Sequence, residues 1–186
     1  GTVGEYQNVL FLEAARLMQV EDPESVKFVL VSYLPVPPSI GEMKTKPTQY
    51  AVRTLNSAGI SPDFIICRST LEIDKPRKEK IARFCSVSWD HIIAAPDAKS
   101  IYSIPELFEN QHFADHVLKS FNVSAGRNDL NAWKEFTQRA TTATDVVKIG
   151  VIGKYFSTGD FTLSDAYISV LEAVKHAAAD QGVKSE

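Results

Sequence analysis

The sequence predicts an α/β fold built on a parallel sheet with helices on both faces. Short apolar runs rich in β-branched residues alternate with segments of helical periodicity, which is typical of strands joined by crossover helices. The apolar runs are continuous, as expected for strands that are covered on both sides. Prolines and glycines fall where the runs and the helical segments end.

The predicted elements follow one another through the first 121 residues. A helix over 8–19 carries apolar side chains at helical spacing. The first strand, 26–34, is a long β-branched and aromatic run, typical of a strand buried on both faces, and Pro35 ends it. After it the sequence predicts a helix over 47–58, a strand over 64–67, a helix over 75–85, a strand over 91–95, and helices over 104–109 and 112–121.

The composition changes after residue 121. Residues 122–145 are rich in Ser, Thr, Asn and Gly around one predicted helix, 130–139, so we predict an interdomain linker there. Residues 146–152 predict the first strand of a second α/β domain, and 163–179 predict its first helix. So short a second unit buries little surface, and we do not expect it to fold well by itself.

Composition also limits the functional class. The net charge of −3, from 20 basic and 23 acidic residues, disfavours a nucleic-acid binder held by bulk charge. No apolar run reaches membrane-spanning length, so we expect no membrane partner and a cytoplasmic protein. Cys67 and Cys85 end apolar runs and are expected to be buried free thiols. His112 and His116 lie four residues apart but have no third ligand in view, so we predict no metal site in the chain.

Three loops are expected to meet at one edge of the sheet. In parallel sheets, ligands bind in the crevice beyond the carboxyl ends of the strands. The loops that follow the three predicted strands are 35–49, 68–78 and 95–102. We therefore expect the ligand site to be built from these loops.

The first of these loops carries the most informative segment, GEMKTKPTQ, at 41–49. Lys44 and Lys46 precede Pro47, a residue suited to the first turn of a helix. Because a helix N-terminus and ammonium groups both favour anions, the segment predicts a polyphosphate site. Paired lysines are also common as solvated surface charge. The candidate binding residues of this segment are Lys44, Thr45, Lys46, Pro47, Thr48 and Gln49.

This segment resembles the GE-x-KTKPTQ string of the CTP synthases, the glutamine-dependent ligases that aminate UTP. Other stretches agree in the same order: GTVG at 1–4, FLEA at 11–14, GISPD at 59–63, ICRS at 66–69, KIA at 80–82, FC at 84–85, and SIY at 100–102. IGVIGKY at 149–155 and DAY at 165–167 resemble the opening of that family's glutaminase domain. The resemblance implies the C-terminal part of a P-loop amidoligase-like domain over 1–121, a linker over 122–145, and the incomplete start of a class I glutaminase domain over 146–186.

The resemblance also implies an activity and its partners. A CTP synthase uses ATP with Mg²⁺ to phosphorylate UTP, and ammonia from glutamine then displaces the phosphate. The family forms homotetramers and responds to GTP as an activator, and we expect residues 1–19 and the KTKPTQ segment at the subunit interface. No phosphate loop or glutaminase triad occurs in the sequence, and the metal ligands are expected before Gly1. The isolated chain is therefore expected to bind nucleotide weakly and to be inactive, with no catalytic residue assigned.

Binding residues carry over from the family position by position. Lys80 and Phe84 join the 44–49 segment as the predicted UTP and CTP site. The residues predicted to bind CTP as an inhibitor are Glu5, Tyr6 and Gln7. The residues predicted to bind ATP are Arg68, Pro96, Asp97 and Ala98. The residues themselves leave alternatives open. Lys80 also fits a solvated helix face, Phe84 a core position, and Arg68 a structural ion pair.

One departure from the family pattern concerns inhibition by CTP. The family usually shows an Asp two residues before a Glu after GTVG, whereas this chain has Glu5 and Gln7. Because the Gln7 amide replaces a charged acceptor, we expect altered inhibition. Two other functional classes stay open: a non-catalytic nucleotide-binding or assembly module, and another ATP-dependent amidoligase with an acid or amide substrate. The KTKPTQ string disfavours the second of these.

Overall fold

The computed structural model describes residues 2–155, 157–158, 161–162 and 164–186. Gly1 and Leu163, which belong to stretches singled out in the sequence, lie outside the described residues. The chain divides into two compact units, Gly1–Asn128 and Asp129–Glu186. The division falls inside the predicted linker.

The first unit contains a parallel sheet of three strands in the order β1-β2-β3. The strands are β1 (Val29–Tyr33), β2 (Phe64–Ser69) and β3 (Ile92–Pro96). Val31 lies opposite Ile66, which in turn lies opposite Ile93. The parallel register confirms the predicted fold class and brings the carboxyl ends of the strands to one edge.

Helices cover the sheet from two sides. The helices of this unit are α1 (Val9–Glu21), α2 (Lys46–Ser57), α3 (Lys75–Cys85), α4 (Ile104–Glu109) and α5 (Phe113–Ser120). On one face, Ile65 of β2 packs in a buried cluster with Val52 of α2 and Ile81 of α3. On the other face, Phe64 meets Phe113 of α5 edge-on, with 5.6 Å between ring centroids.

The exposure of β1 corrects one prediction. The sequence predicts a strand buried on both faces, but Val29, Val31 and Tyr33 are exposed while Leu30 and Ser32 are buried. The reason is its place in the sheet. β1 is an edge strand, and α4 packs against β3, two strands away.

The opposite edge of the sheet is closed by a side chain. Gln111 accepts a hydrogen bond from the Ala94 N–H at 2.7 Å and donates one to the Ala94 carbonyl at 2.9 Å. Its amide therefore occupies the pairing position of a further strand beside β3. A capped edge resists pairing with another chain.

The apolar cluster predicted in the first helix is exposed. Leu10, Phe11 and Met18 of α1 show 79%, 75% and 59% of their surface to solvent. Leu12 packs against the core cluster instead. The cluster therefore forms a free apolar surface of this chain.

The second unit is smaller and has little sheet. Its elements are α6 (Asn131–Thr142), β4 (Val146–Val147), β5 (Ser157–Thr158), β6 (Phe161–Thr162), α7 (Ile168–Asp180) and β7 (Lys184–Ser185). β4 pairs with β7 in parallel, and β5 pairs with β6 antiparallel. The predicted strand 146–152 is thus reduced to two paired residues. The predicted helix 163–179 begins at Ile168 because a 3₁₀ turn occupies Ser164–Tyr167.

In the part of the chain that the structure describes, no helix combines the length and the apolar character needed to cross a bilayer.

Candidate functional site

Backbone and side-chain hydrogen bonds hold the three strand ends together. The Leu34 N–H donates to the Arg68 carbonyl at 2.7 Å, and the Ser69 hydroxyl donates to the Leu34 carbonyl at 2.9 Å. The Asp97 N–H donates to the Ser69 carbonyl at 2.8 Å. The three loops predicted to meet therefore begin side by side at one edge of the sheet.

Burial alternates along the segment that leads into α2. Met43 and Thr45 are 7% and 5% exposed and face the interior, whereas Lys44 is half-buried and Lys46 is exposed. The two inward residues anchor the loop. The spacing of one residue between the lysines thus places both ammonium groups on the outer side of the loop.

Two polar residues of the predicted binding segment are used inside the fold. Thr48 is fully buried, and its hydroxyl lies 2.9 Å from the Ser32 hydroxyl of β1. Gln49 is half-buried, and its side-chain amide donates to the Thr45 hydroxyl at 3.1 Å. The Thr48 hydroxyl therefore anchors the start of α2 to β1, and the predicted contact of Thr48 with a ligand stays a prediction.

An open cleft lies between this segment and the start of α3. Its volume is about 550 Å³, within the range of small-molecule sites. It is lined by Glu42, Met43, Lys44, Thr45, Lys46, Pro76, Arg77 and Lys80. Four of these side chains are cationic and one is anionic. The cleft is therefore suited to a ligand with several negative charges.

The cleft brings together only part of the predicted UTP site. Lys44, Thr45, Lys46 and Lys80 line it, whereas Pro47, Gln49 and Phe84 do not. Phe84 is 56% exposed, which excludes the alternative of a core residue in this chain. It lies one helical turn after Lys80, so its ring is on the same side of α3.

Two charged residues of the cleft, Glu42 and Arg77, were not predicted as site residues from the sequence. The Glu42 carboxylate accepts from the Lys44 ammonium at 2.7 Å and from Arg77 Nη2 at 3.1 Å. The hydrogen bond and charge of Lys44, with a smaller contribution from the charge of Arg77, lower the pKa of Glu42. The available signal was spacing: Arg77 precedes Lys80 by three residues on one helix, which places both on one face.

Arg77 is held in place by the start of its own helix. Asp74 caps α3 by accepting from the Arg77 N–H at 3.0 Å, and the Asp74 carboxylate also pairs with the Arg77 guanidinium. Arg77 Nε donates to the Met43 carbonyl at 3.0 Å. This arginine therefore joins the second loop to the first across the cleft.

The residues predicted to bind ATP form a second group at the same edge. Arg68 Nη1 donates to the Ala95 carbonyl at 3.0 Å and to the Pro96 carbonyl at 3.3 Å. Arg68 Nη2 lies 2.7 Å from the Asp97 carboxylate. The structural ion pair that the sequence left open is therefore present, and Ala98 follows it on an exposed loop.

The residues predicted to bind CTP are not among those that line the cleft. Glu5, Tyr6 and Gln7 enter α1 through a 3₁₀ turn, and all three are exposed, Tyr6 by 90%. The Glu5 carboxylate accepts from the Asn8 side chain at 3.1 Å. Exposed aromatic and polar groups of this kind can reach a ligand or a neighbouring subunit.

The two cysteines do not supply a reactive thiolate to the candidate site. Cys67 and Cys85 are free and buried, as predicted. Burial raises the pKa of Cys67 to about 12 and that of Cys85 to about 11, so both stay protonated at neutral pH. Among the described residues, no three His, Cys, Asp or Glu side chains are grouped to hold a metal ion.

Comparison with known proteins identifies related chains. The sequence model of the family described as CTP synthase N-terminus matches residues 1–123. The chain is 41% identical to a CTP synthase of Methanothermobacter thermautotrophicus, over 99% of the chain and 34% of that relative. It is 42% identical to a CTP synthase of Caldanaerobacter subterraneus, over 95% of the chain and 32% of the relative. It is 38% identical to a CTP synthase of Acaryochloris marina, over 98% of the chain and 32% of that relative. The chain thus spans about a third of the length of the curated relatives it matches.

Proposed function

The chain belongs to the CTP synthase family, and from this premise we propose that it forms the UTP-binding part of an ATP-dependent ligase that aminates UTP to CTP. The observation that carries the proposal is the cleft between the 42–46 segment and α3, which four cations line at the carboxyl edge of the sheet. A nucleoside triphosphate presents several negative charges along a short chain. Its tail matches both the size and the charge of this cleft.

The two walls of the cleft act on the phosphates from opposite sides. Lys44 and Lys46 come from the loop before α2, while Lys80 comes from α3. Lysine ammonium groups act on phosphate as mobile point charges, so small shifts of the tail are tolerated. The N-terminus of α2 adds the positive end of a helix dipole beside them. Together these groups hold the triphosphate without defining the base.

Recognition of the base is assigned to the exposed end of α3. Phe84 presents more than half of its ring to solvent one turn beyond Lys80, and an exposed aromatic ring is suited to stacking on a pyrimidine. Arg68, Pro96, Asp97 and Ala98 form the proposed ATP contact at the same edge. In this proposal the two nucleotides bind at adjacent loops of one sheet.

The remaining functions belong to the whole protein. We propose that Mg²⁺ arrives with ATP and neutralises charge during phosphoryl transfer, and the described residues of this chain offer no carboxylate cluster to hold it. Glutamine supplies the ammonia, GTP acts as an activator, and the enzyme is a cytoplasmic homotetramer. Glu5, Tyr6 and Gln7 are proposed to face bound CTP.

The first prediction tests the cleft. Lys44→Ala and Lys46→Ala should each weaken UTP binding by about ten-fold, because each removes a charge-assisted contact to phosphate worth about 1.5 kcal/mol or more. Isothermal titration of the full-length enzyme with UTP measures this. Lys119→Ala is the matched control, because Lys119 is exposed on α5 and does not line the cleft. Equal affinity of the wild type and both cleft variants would remove the basis of the proposal.

A further inference from the structure

Glu42 is the anionic side chain among the residues that line the cationic cleft. Its two oxygens are shared between two cations. Oε2 lies 2.7 Å from the Lys44 ammonium, and Oε1 lies 3.1 Å from Arg77 Nη2. The carboxylate therefore occupies a position where a phosphate oxygen would otherwise find two positive charges.

The two cations that share this carboxylate are held very differently. Arg77 is engaged by its helix cap Asp74 and by the Met43 carbonyl, and 26% of its side chain is exposed. Lys44 has a flexible four-carbon stem, 39% of its side chain is exposed, and its ammonium pairs with Glu42. Arg77 is thus the fixed partner of Glu42, and Lys44 is the one free to turn away.

We propose that Glu42 is an internal anion that pairs with Lys44 until a ligand binds and then releases Lys44 to the incoming phosphate, while Arg77 keeps the carboxylate paired. The inference rests on the proposed function, because it assigns the ligand that displaces Glu42 as a polyphosphate. Glu42 then lowers the affinity of every ligand that must take Lys44 from it. Arg77 is a positioning residue that holds Glu42 and the Met43 carbonyl.

The charges favour this exchange. An exposed carboxylate–ammonium pair contributes little in water, so a phosphate group with greater charge can replace the carboxylate. After the exchange Glu42 stays close to the phosphate, and its charge opposes binding unless Arg77 balances it. The lowered pKa of Glu42 keeps this carboxylate ionised at neutral pH. Removing the charge of Glu42 should therefore strengthen the binding of polyphosphate.

The decisive variant is Glu42→Gln in the full-length enzyme, titrated with UTP, with inorganic triphosphate and with uridine. We expect Glu42→Gln to bind UTP and triphosphate about three- to ten-fold more tightly, because a competing ion pair and a nearby repulsive charge are both removed. Uridine should bind equally to both forms, because it has no phosphate. Glu79→Gln is the matched control: Glu79 is an exposed carboxylate on α3 that does not line the cleft. Unchanged or weaker binding of triphosphate by Glu42→Gln overturns the inference.

Double variants separate an exchange at Lys44 from simple repulsion. In a Lys44→Ala background, Glu42→Gln should lose most of its effect, because there is no cation left to release. Arg77→Ala should weaken triphosphate binding more when Glu42 is present than in the Glu42→Gln background. An equal loss in both backgrounds would mean that Arg77 acts on the phosphate directly, and its positioning role would be wrong.

Failure of this inference is distinguishable from failure of the proposed function. If Lys44→Ala binds UTP as tightly as the wild type, the cleft is not the phosphate site and both proposals fall. If Lys44→Ala weakens binding while Glu42→Gln does not strengthen it, only the internal anion is rejected. Circular dichroism of each variant checks that the fold is retained.

Discussion

Arg68, Arg77 and Lys44 are cations at the same edge of the sheet, yet their neighbours give them different roles. Arg68 donates to two carbonyls of the β3 end and pairs with Asp97, so its charge is already committed. Arg77 is likewise committed to Asp74, Met43 and Glu42. Lys44 pairs with Glu42, whereas each arginine has several partners. At the scale of single residues, the number of hydrogen-bond partners therefore distinguishes the cations that shape the site from those available to a ligand.

A prediction at this scale concerns Arg68. Arg68→Ala in the full-length enzyme should raise the KM for ATP about five-fold and leave the KM for UTP within two-fold, because the lost contacts fix the Ala95–Asp97 backbone and not the cleft. Arg68→Lys should recover only part of the loss, since an ammonium lacks the planar fork of the guanidinium. Steady-state kinetics with each nucleotide varied in turn makes the measurement. An equal rise in both KM values would contradict the assignment of this loop to ATP.

At the scale of secondary-structure elements, the two edges of the sheet are treated differently. β3 is closed by the Gln111 amide, whose carbonyl and NH₂ groups bond both backbone groups of Ala94. β1 forms the other edge and leaves Val29, Val31 and Tyr33 exposed on one face. The β3 edge therefore has a hydrogen-bonding partner within the chain, whereas the β1 edge exposes apolar side chains.

The element-scale prediction tests the Gln111 cap. Gln111→Ala should lower the free energy of unfolding by about 1–3 kcal/mol, because it leaves two partly buried backbone groups without their partner. Urea unfolding of the chain measures the loss, and hydrogen exchange should accelerate at the Ala94 amide. Asn110→Ala, at the neighbouring exposed position, is the control. A change below about 0.5 kcal/mol would show that the cap contributes little.

At the scale of the whole molecule, α1 and the turn before it carry a group of strongly exposed apolar side chains. Tyr6, Leu10 and Phe11 are exposed by 75–90%, and Leu17 and Met18 extend the same surface along the helix. Surfaces of this kind mark interaction sites on proteins. The position is compatible with the expectation, drawn from the family resemblance, that residues 1–19 lie at a subunit interface.

The corresponding prediction uses the full-length enzyme. Phe11→Asp should shift sedimentation velocity profiles towards smaller species at micromolar concentration, because a carboxylate would be buried in an apolar interface. Glu21→Gln, exposed at the end of the same helix, should leave the profile unchanged. An assembly that is indifferent to Phe11→Asp would place the interface elsewhere.

Local sequence patterns were sufficient to predict most of the helices and strands. The predicted starts of α3 and α4 agree with the structure because each helix has a proline in its first turn, and α3 is also capped by the Asp74 side chain. The parallel order followed from alternating strands and helices, and it predicted that Lys44, Lys46 and Arg68 would lie at one edge. Recognition of the family depended on the same short strings, and the match over residues 1–123 confirms it.

The sequence by itself thus determined the fold class, the family and the approximate place of the site, because caps, periodicity and motifs are local properties of the chain. Only the tertiary structure decided that Thr48 is buried against Ser32, that Phe84 is exposed, and that Arg77 holds Glu42. Glu42 and Arg77 are separated by 35 positions in the chain. Their pairing depends on how two loops fold back onto one sheet edge, and no pattern within either loop encodes that approach.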